Sequence, residues 1–81
     1  MSLHRLKAHL IASGCNKQEQ VLTLIEAYLG DGASVGSDIV RTISELGYDG
    51  RFVGIQLSKS AGSNPARYLW KKSEDGTYCL H

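Results

Sequence analysis

Apolar side chains recur at helical intervals through most of this chain and alternate with polar ones near its end. Leu3, Leu6, Leu10 and Ile11 return every three or four positions, which predicts a short helix with one apolar stripe. Ser13-Gly14 ends it, with Gly14 as the C-terminal stop. Asn16 opens a second helix. Its side chain is placed to cap the amide of Glu19, and Glu19 to reach back in a capping-box-like exchange. Val21, Leu22, Leu24, Ile25, Tyr28 and Leu29 give this helix a wide apolar face, and Gly30-Asp31-Gly32 closes it.

Ser34-Val35-Gly36 reads as a brief extended segment. Ser34 or Ser37 then caps a third helix through Leu46, with Ile39, Val40, Ile43 and Leu46 turned inwards. Gly47 is suited to the left-handed conformation that stops this helix, and Asp49 to capping a fourth, over residues 50–60. At about 100° per residue, Phe52, Val53 and Leu57 fall on the core side of that helix, with Gln56 and Ser60 beside them. Arg51, Gly54, Ile55, Ser58 and Lys59 fall on the other side.

Ala61-Gly62-Ser63-Asn64-Pro65 is a cluster of helix and strand breakers. Beyond it, residues from Arg67 to Lys72 are rich in strand formers. Asp75-Gly76 signals a hairpin turn within residues 73–76, and Thr77-Tyr78-Cys79-Leu80 returns as the partner strand. Alternation puts Leu69 and Lys71 on one face of the hairpin and Tyr68, Trp70 and Lys72 on the other. Leu69, Tyr78 and Leu80 are expected to cover the core. Tyr68 and Trp70 are either part of that core or an exposed patch for a partner. The pattern gives an α+β fold of three to four helices followed by a two-stranded β-hairpin. Residues 1–15 form an N-terminal helical extension and residues 16–81 the domain.

At 81 residues the chain supports one small core, so most periodic apolar residues are needed for packing. No apolar run is long enough to span a bilayer and no signal peptide is read, so the expected compartment is the cytoplasm, with no membrane partner. Cys15 and Cys79 lie far apart, outside any CxxC spacing, and are expected to be free thiols. His4, His9 and His81 have no zinc-ligand spacing, and no metal or other cofactor is expected. No Ser-His-Asp or Cys-His arrangement, GxGxxG or phosphate-loop pattern supports an enzyme.

The net charge is +1, but it is unevenly spread. Residues 17–49 hold Lys17 and Arg41 against six carboxylates, whereas residues 50–81 hold Arg51, Lys59, Arg67, Lys71 and Lys72 against Glu74 and Asp75. Such segregation turns an acidic side away from a polyanion and a basic side towards it. On the fourth helix, Arg51 suits bidentate bonding to guanine, Lys59 and Ser58 suit phosphates or base edges, and Ile55 suits a thymine methyl. Gly54 would let the helix backbone approach closely. Arg67, Lys71 and Lys72 in the hairpin at 67–80 are placed for phosphate contacts that give affinity rather than specificity. Glu74 and Asp75 make the tip acidic, which favours contact through the strand stems.

Over residues 17–81 the chain resembles the winged helix-turn-helix superfamily. IVRTISEL (39–46), the turn GYDG, the helix RFVGIQLSKSA and the hairpin ARYLWKKSEDGTYCL match that family's positioning helix, turn, recognition helix and wing. The stretch VGIQLSKSAGSNPARYLWKKSEDGTYCL is also similar to HARE-type and restriction-associated winged helices. In those, a helix ending in Leu-Ser leads through a polar loop to an aromatic strand and a final Gly-aromatic-x-Leu. Here the ending is Gly76-Thr77-Tyr78-Cys79-Leu80, one residue longer. The resemblance implies non-catalytic, sequence-specific binding of duplex DNA, usually in transcription control. The recognition helix would be residues 50–60. The second reading is a protein-interaction module using Tyr68, Trp70 and the first helix. That helix either packs on the domain or pairs with another copy in a homodimer.

Overall fold

The computed structural model of the chain describes residues 3–64 and 66–80. Pro65 of the breaker cluster and His81 lie outside them. The described residues form four helices and a three-stranded antiparallel sheet, an α+β arrangement. In chain order these are α1 (Leu3–Ala12), α2 (Lys17–Gly30), β1 (Ser34–Val35), α3 (Gly36–Ser44), α4 (Gly50–Lys59), β2 (Trp70–Lys72) and β3 (Thr77–Leu80).

Helix α2 is the axis of the molecule, with Val21, Leu24 and Ile25 fully buried. Asn16 caps it as its sequence predicts: Oδ1 accepts from the Glu19 amide at 2.8 Å. On α1, Leu10 is buried, and Leu3 and Leu6 pack against the core, but Ile11 is 53% exposed and leaves the expected stripe. Positions 3, 6 and 10 already fill the strip of α1 that faces the body. Gly14 stops α1 with φ +82°, while the Cys15 amide reaches back to the Leu10 carbonyl at 3.1 Å.

Helix α3 starts without the serine cap expected of Ser34 or Ser37; its N-cap is Val35, with no side-chain bond. Ser34 and Val35 are instead held as β1 by β3, opposite Tyr78 and Thr77. The strand pairing fixes the entry to α3, so no side-chain cap is required. Gly36 makes this entry possible, because a Cβ there would stand 3.0 Å from the Tyr78 ring. Helix α3 ends at Ser44, and buried Leu46 lies in the following turn rather than in the helix. Gly47 passes through φ +109°, and Asp49 caps α4 by accepting from the Arg51 amide at 2.9 Å.

Strand β2 is shorter than the stretch from Arg67 onwards predicts. Asn64 captures the preceding backbone: its carbonyl accepts from the Arg67 and Tyr68 amides at 3.1 and 3.0 Å, and its side chain from Ala66 at 3.0 Å. Arg67 therefore sits in a turn and not in the strand. The hairpin pairs Trp70 with Leu80, Lys71 with Cys79 and Lys72 with Tyr78. Directly opposed residues share a face, so the face of Tyr78 is the face of Trp70. Trp70 is fully buried and Tyr78 nearly so, while Leu69 and Leu80 are 42% and 37% exposed. The expected core set of Leu69, Tyr78 and Leu80 is thus corrected to Trp70 and Tyr78. β1 adds a third strand on the far side of β3, in the order β1-β3-β2, where a two-stranded hairpin was expected.

Candidate functional site

The exposed face of α4 and the hairpin beside it hold every residue expected to bind except Arg67. Val53, Gln56 and Leu57 anchor α4 in the core, and Phe52 is packed against it. Helical geometry then leaves Arg51, Ile55, Ser58 and Lys59 outward, all four exposed, with Ile55 at 47%. From Arg51 to Lys59 the helix rises about 12 Å. Gly54 faces the other way, towards α3: a Cβ there would meet Val40 at 4.0 Å, an ordinary contact. Its expected role on the outward face is therefore not supported by its position.

The hairpin is fixed to the C-terminal end of α4 through the carbonyls that a helix end leaves unpaired. The Trp70 indole N–H donates to the Leu57 carbonyl at 2.9 Å. The Ala61 amide donates to Ser58, and the Leu69 and Trp70 amides to the Ser60 carbonyl, at 3.3, 3.1 and 3.4 Å. The Gly62 amide returns to the Trp70 carbonyl at 3.0 Å. These bonds set the hairpin stem against the last turn of α4 and leave a cleft of about 600 Å³ between them. Ser58 comes from the helix, Gly62 and Ser63 from the loop, and Lys71, Lys72 and Tyr78 from the hairpin. Lys72 Nζ stands 5.7 Å from the centre of the Tyr78 ring.

Ser58, Lys71 and Lys72 therefore border one cleft, with Arg51, Ile55 and Lys59 along the adjoining helix face. Arg67 is exposed in the Asn64 turn and does not line the cleft. Ser63 and Tyr78 join the site without having been singled out for it. Ser63 had no signal beyond its place in the breaker loop.

The acidic hairpin tip has a structural cause at one of its two carboxylates. Asp75 Oδ1 accepts from the Thr77 hydroxyl at 2.7 Å and the Thr77 amide at 3.1 Å. Those bonds favour the ionised form and hold the Asp75 carboxyl below its usual range. The tip stays negative at neutral pH, while the stems carry Lys71 and Lys72. The Lys72 ammonium above the Tyr78 ring, with a serine on the helix and another on the loop, can bind an anionic oxygen. The Arg51 guanidinium can engage a planar acceptor pair.

A second cluster ties α1 to the turn between α3 and α4, and sequence patterning did not reveal it. The Lys7 ammonium donates to the Leu46 carbonyl and lies 5.1 Å from the centre of the Tyr48 ring. The Tyr48 hydroxyl donates to Gln20 Oε1 at 2.6 Å, and Gln20 Nε2 donates to the Cys15 carbonyl at 2.7 Å. Burial pushes the Tyr48 phenol above its usual pKa. Among the described residues, no three His, Cys, Asp or Glu side chains are grouped to hold a metal ion, and no helix is long and apolar enough to cross a membrane. Comparison of the chain with protein-family models, with curated proteins and with solved structures finds no match.

Proposed function

We propose that residues 16–81 act as a winged helix-turn-helix that binds duplex DNA without catalysis, as a small transcriptional regulator. The α4 helix enters the major groove, and the β2–β3 hairpin contacts the backbone. The observation that carries this reading is the row Arg51, Ile55, Ser58 and Lys59, exposed along a helix whose opposite side is fixed in the core. The element order supports it: α3, a tight turn, α4 packed on α3, then a hairpin. Major-groove recognition needs a protruding helix with donors and a small apolar contact on its outer face, and base-edge readout by Arg is bidentate. Lys71 and Lys72 supply sequence-independent phosphate contacts.

The protein-interaction reading loses its main anchor, because Trp70 is fully buried and its indole N–H is engaged. Tyr68 is half-buried, and its ring packs where a Cβ on Gly62 would be. No observation favours that reading over DNA.

The test is the double variant Arg51→Ala with Lys59→Ala. Both side chains are exposed, so the melting temperature is expected to stay unchanged while affinity for duplex DNA falls at least tenfold, a loss of about 1.4 kcal/mol. Unaltered affinity in the folded double variant would remove α4 from the mechanism.

A further inference from the structure

We propose that the cleft between the last turn of α4 and the hairpin stem is a phosphate-binding pocket in its own right, able to take the phosphate end of a small phosphorylated molecule. The proposal builds on the site described above but does not require that α4 read DNA. Three observations carry it.

The first is shape. A backbone phosphate of duplex DNA needs only a convex basic surface, whereas this site is concave and about 600 Å³. That volume lies within the range of small-molecule sites, roughly 300–1,000 Å³. The second is charge. Lys71 and Lys72 both contribute to the lining of the cleft, and among the described residues no carboxylate does. The acidic tip residue Asp75 is turned into its own bonds with Thr77. The third is the remaining lining. Ser58 lines the cleft from the helix and Ser63 from the loop, and Tyr78 is a nearly buried aromatic side chain beneath Lys72.

The rigidity of the walls favours binding, because the bonds from Trp70 to Leu57 and from Gly62 to Trp70 fix the helix, the loop and the strand relative to one another. A phosphate seated beside the Lys72 ammonium and the serines would be met by a charge-assisted donor. A planar or apolar remainder could then rest against the Tyr78 ring. Because Lys71 and Lys72 are also the proposed backbone contacts of the hairpin, occupancy of the cleft would compete with duplex DNA.

The probes are inorganic pyrophosphate, adenosine monophosphate and adenosine, titrated into the full chain at low salt and followed by amide chemical shifts. Saturable shifts confined to Ser58, Gly62, Ser63, Lys71 and Lys72 are expected with the two phosphorylated probes and not with adenosine. Lys71→Gln with Lys72→Gln should weaken pyrophosphate binding at least tenfold, whereas Lys17→Gln, at an exposed position outside the cleft lining, should leave it unchanged. Shifts spread over basic residues around the whole surface, or none at millimolar pyrophosphate, would overturn the proposal.

A parallel titration with a short duplex separates the sources of phosphate. If pyrophosphate binds the cleft and duplex DNA does not bind at all, the pocket stands and the DNA reading falls. If duplex shifts the α4 face while pyrophosphate leaves the cleft silent, the DNA reading stands and the pocket falls.

Discussion

Trp70 fills the core with its ring and satisfies a helix-end carbonyl with its indole N–H, so one side chain joins the hairpin to α4. Replacing it with Phe keeps an aromatic ring but strands the Leu57 carbonyl. The expected loss is about 1–3 kcal/mol in urea denaturation; an unchanged midpoint would show that this bond is not what fixes the hairpin. Its role was only half legible in the sequence. Tyr68, Leu69 and Trp70 are all large and apolar, so alternation does not reveal which face turns inward. The choice is made by Ser60, a residue ten positions earlier, whose carbonyl takes the Leu69 and Trp70 amides. Tyr48 couples stability to pH. Burial raises its pKa in the fold, so the unfolded chain loses the phenolic proton first as pH rises. The stabilisation is therefore complete below the unfolded pKa, about 10, and is lost as pH climbs through the higher folded value. Denaturation midpoints should decline on the alkaline side, and Tyr48→Phe should flatten that decline. An identical alkaline slope in the variant would rule out Tyr48 as its source.

Helices α2 and α4 were legible because each carries both its apolar period and its own cap. Asn16 and Asp49 make the bonds that their positions imply. The start of α3 was misread, since its geometry comes from pairing of Ser34 and Val35 with residues more than forty positions later. No local signal carries that pairing. Helix α1 shows the same limit. Its leucines announce a packed face, but the contact that ties it to the α3–α4 turn is made by Lys7, which sequence patterning treats as a surface cation. The ammonium meets both the Leu46 carbonyl in the turn and an aromatic face. Lys7→Met should cost about 1–2 kcal/mol of stability and speed amide exchange in α1 more than in α2. Equal exchange in the two helices would mean that Lys7 does not hold α1 in place.

Across the whole molecule, charge and architecture point to the same surface. The carboxylate-rich middle of the chain builds α2 and α3, while α4 and the hairpin stem present Arg51, Lys59, Lys71 and Lys72. The outward row on α4 was legible because helical periodicity sorts a face into buried and exposed halves. The cleft was not, because its walls come from three segments brought together by backbone bonds at residues 58–62 and 69–70. If the hairpin touches phosphate, removing each of Lys71 and Lys72 should lower the slope of log affinity against log salt by about one. An unaltered slope would take the hairpin out of the interface. Duplex binding is tested by fluorescence anisotropy of a labelled random duplex titrated with the chain at low and at physiological salt. A DNA-binding α4 and hairpin should give salt-sensitive binding with Kd of about 1–100 μM at physiological salt. Absence of binding even at low salt would contradict it.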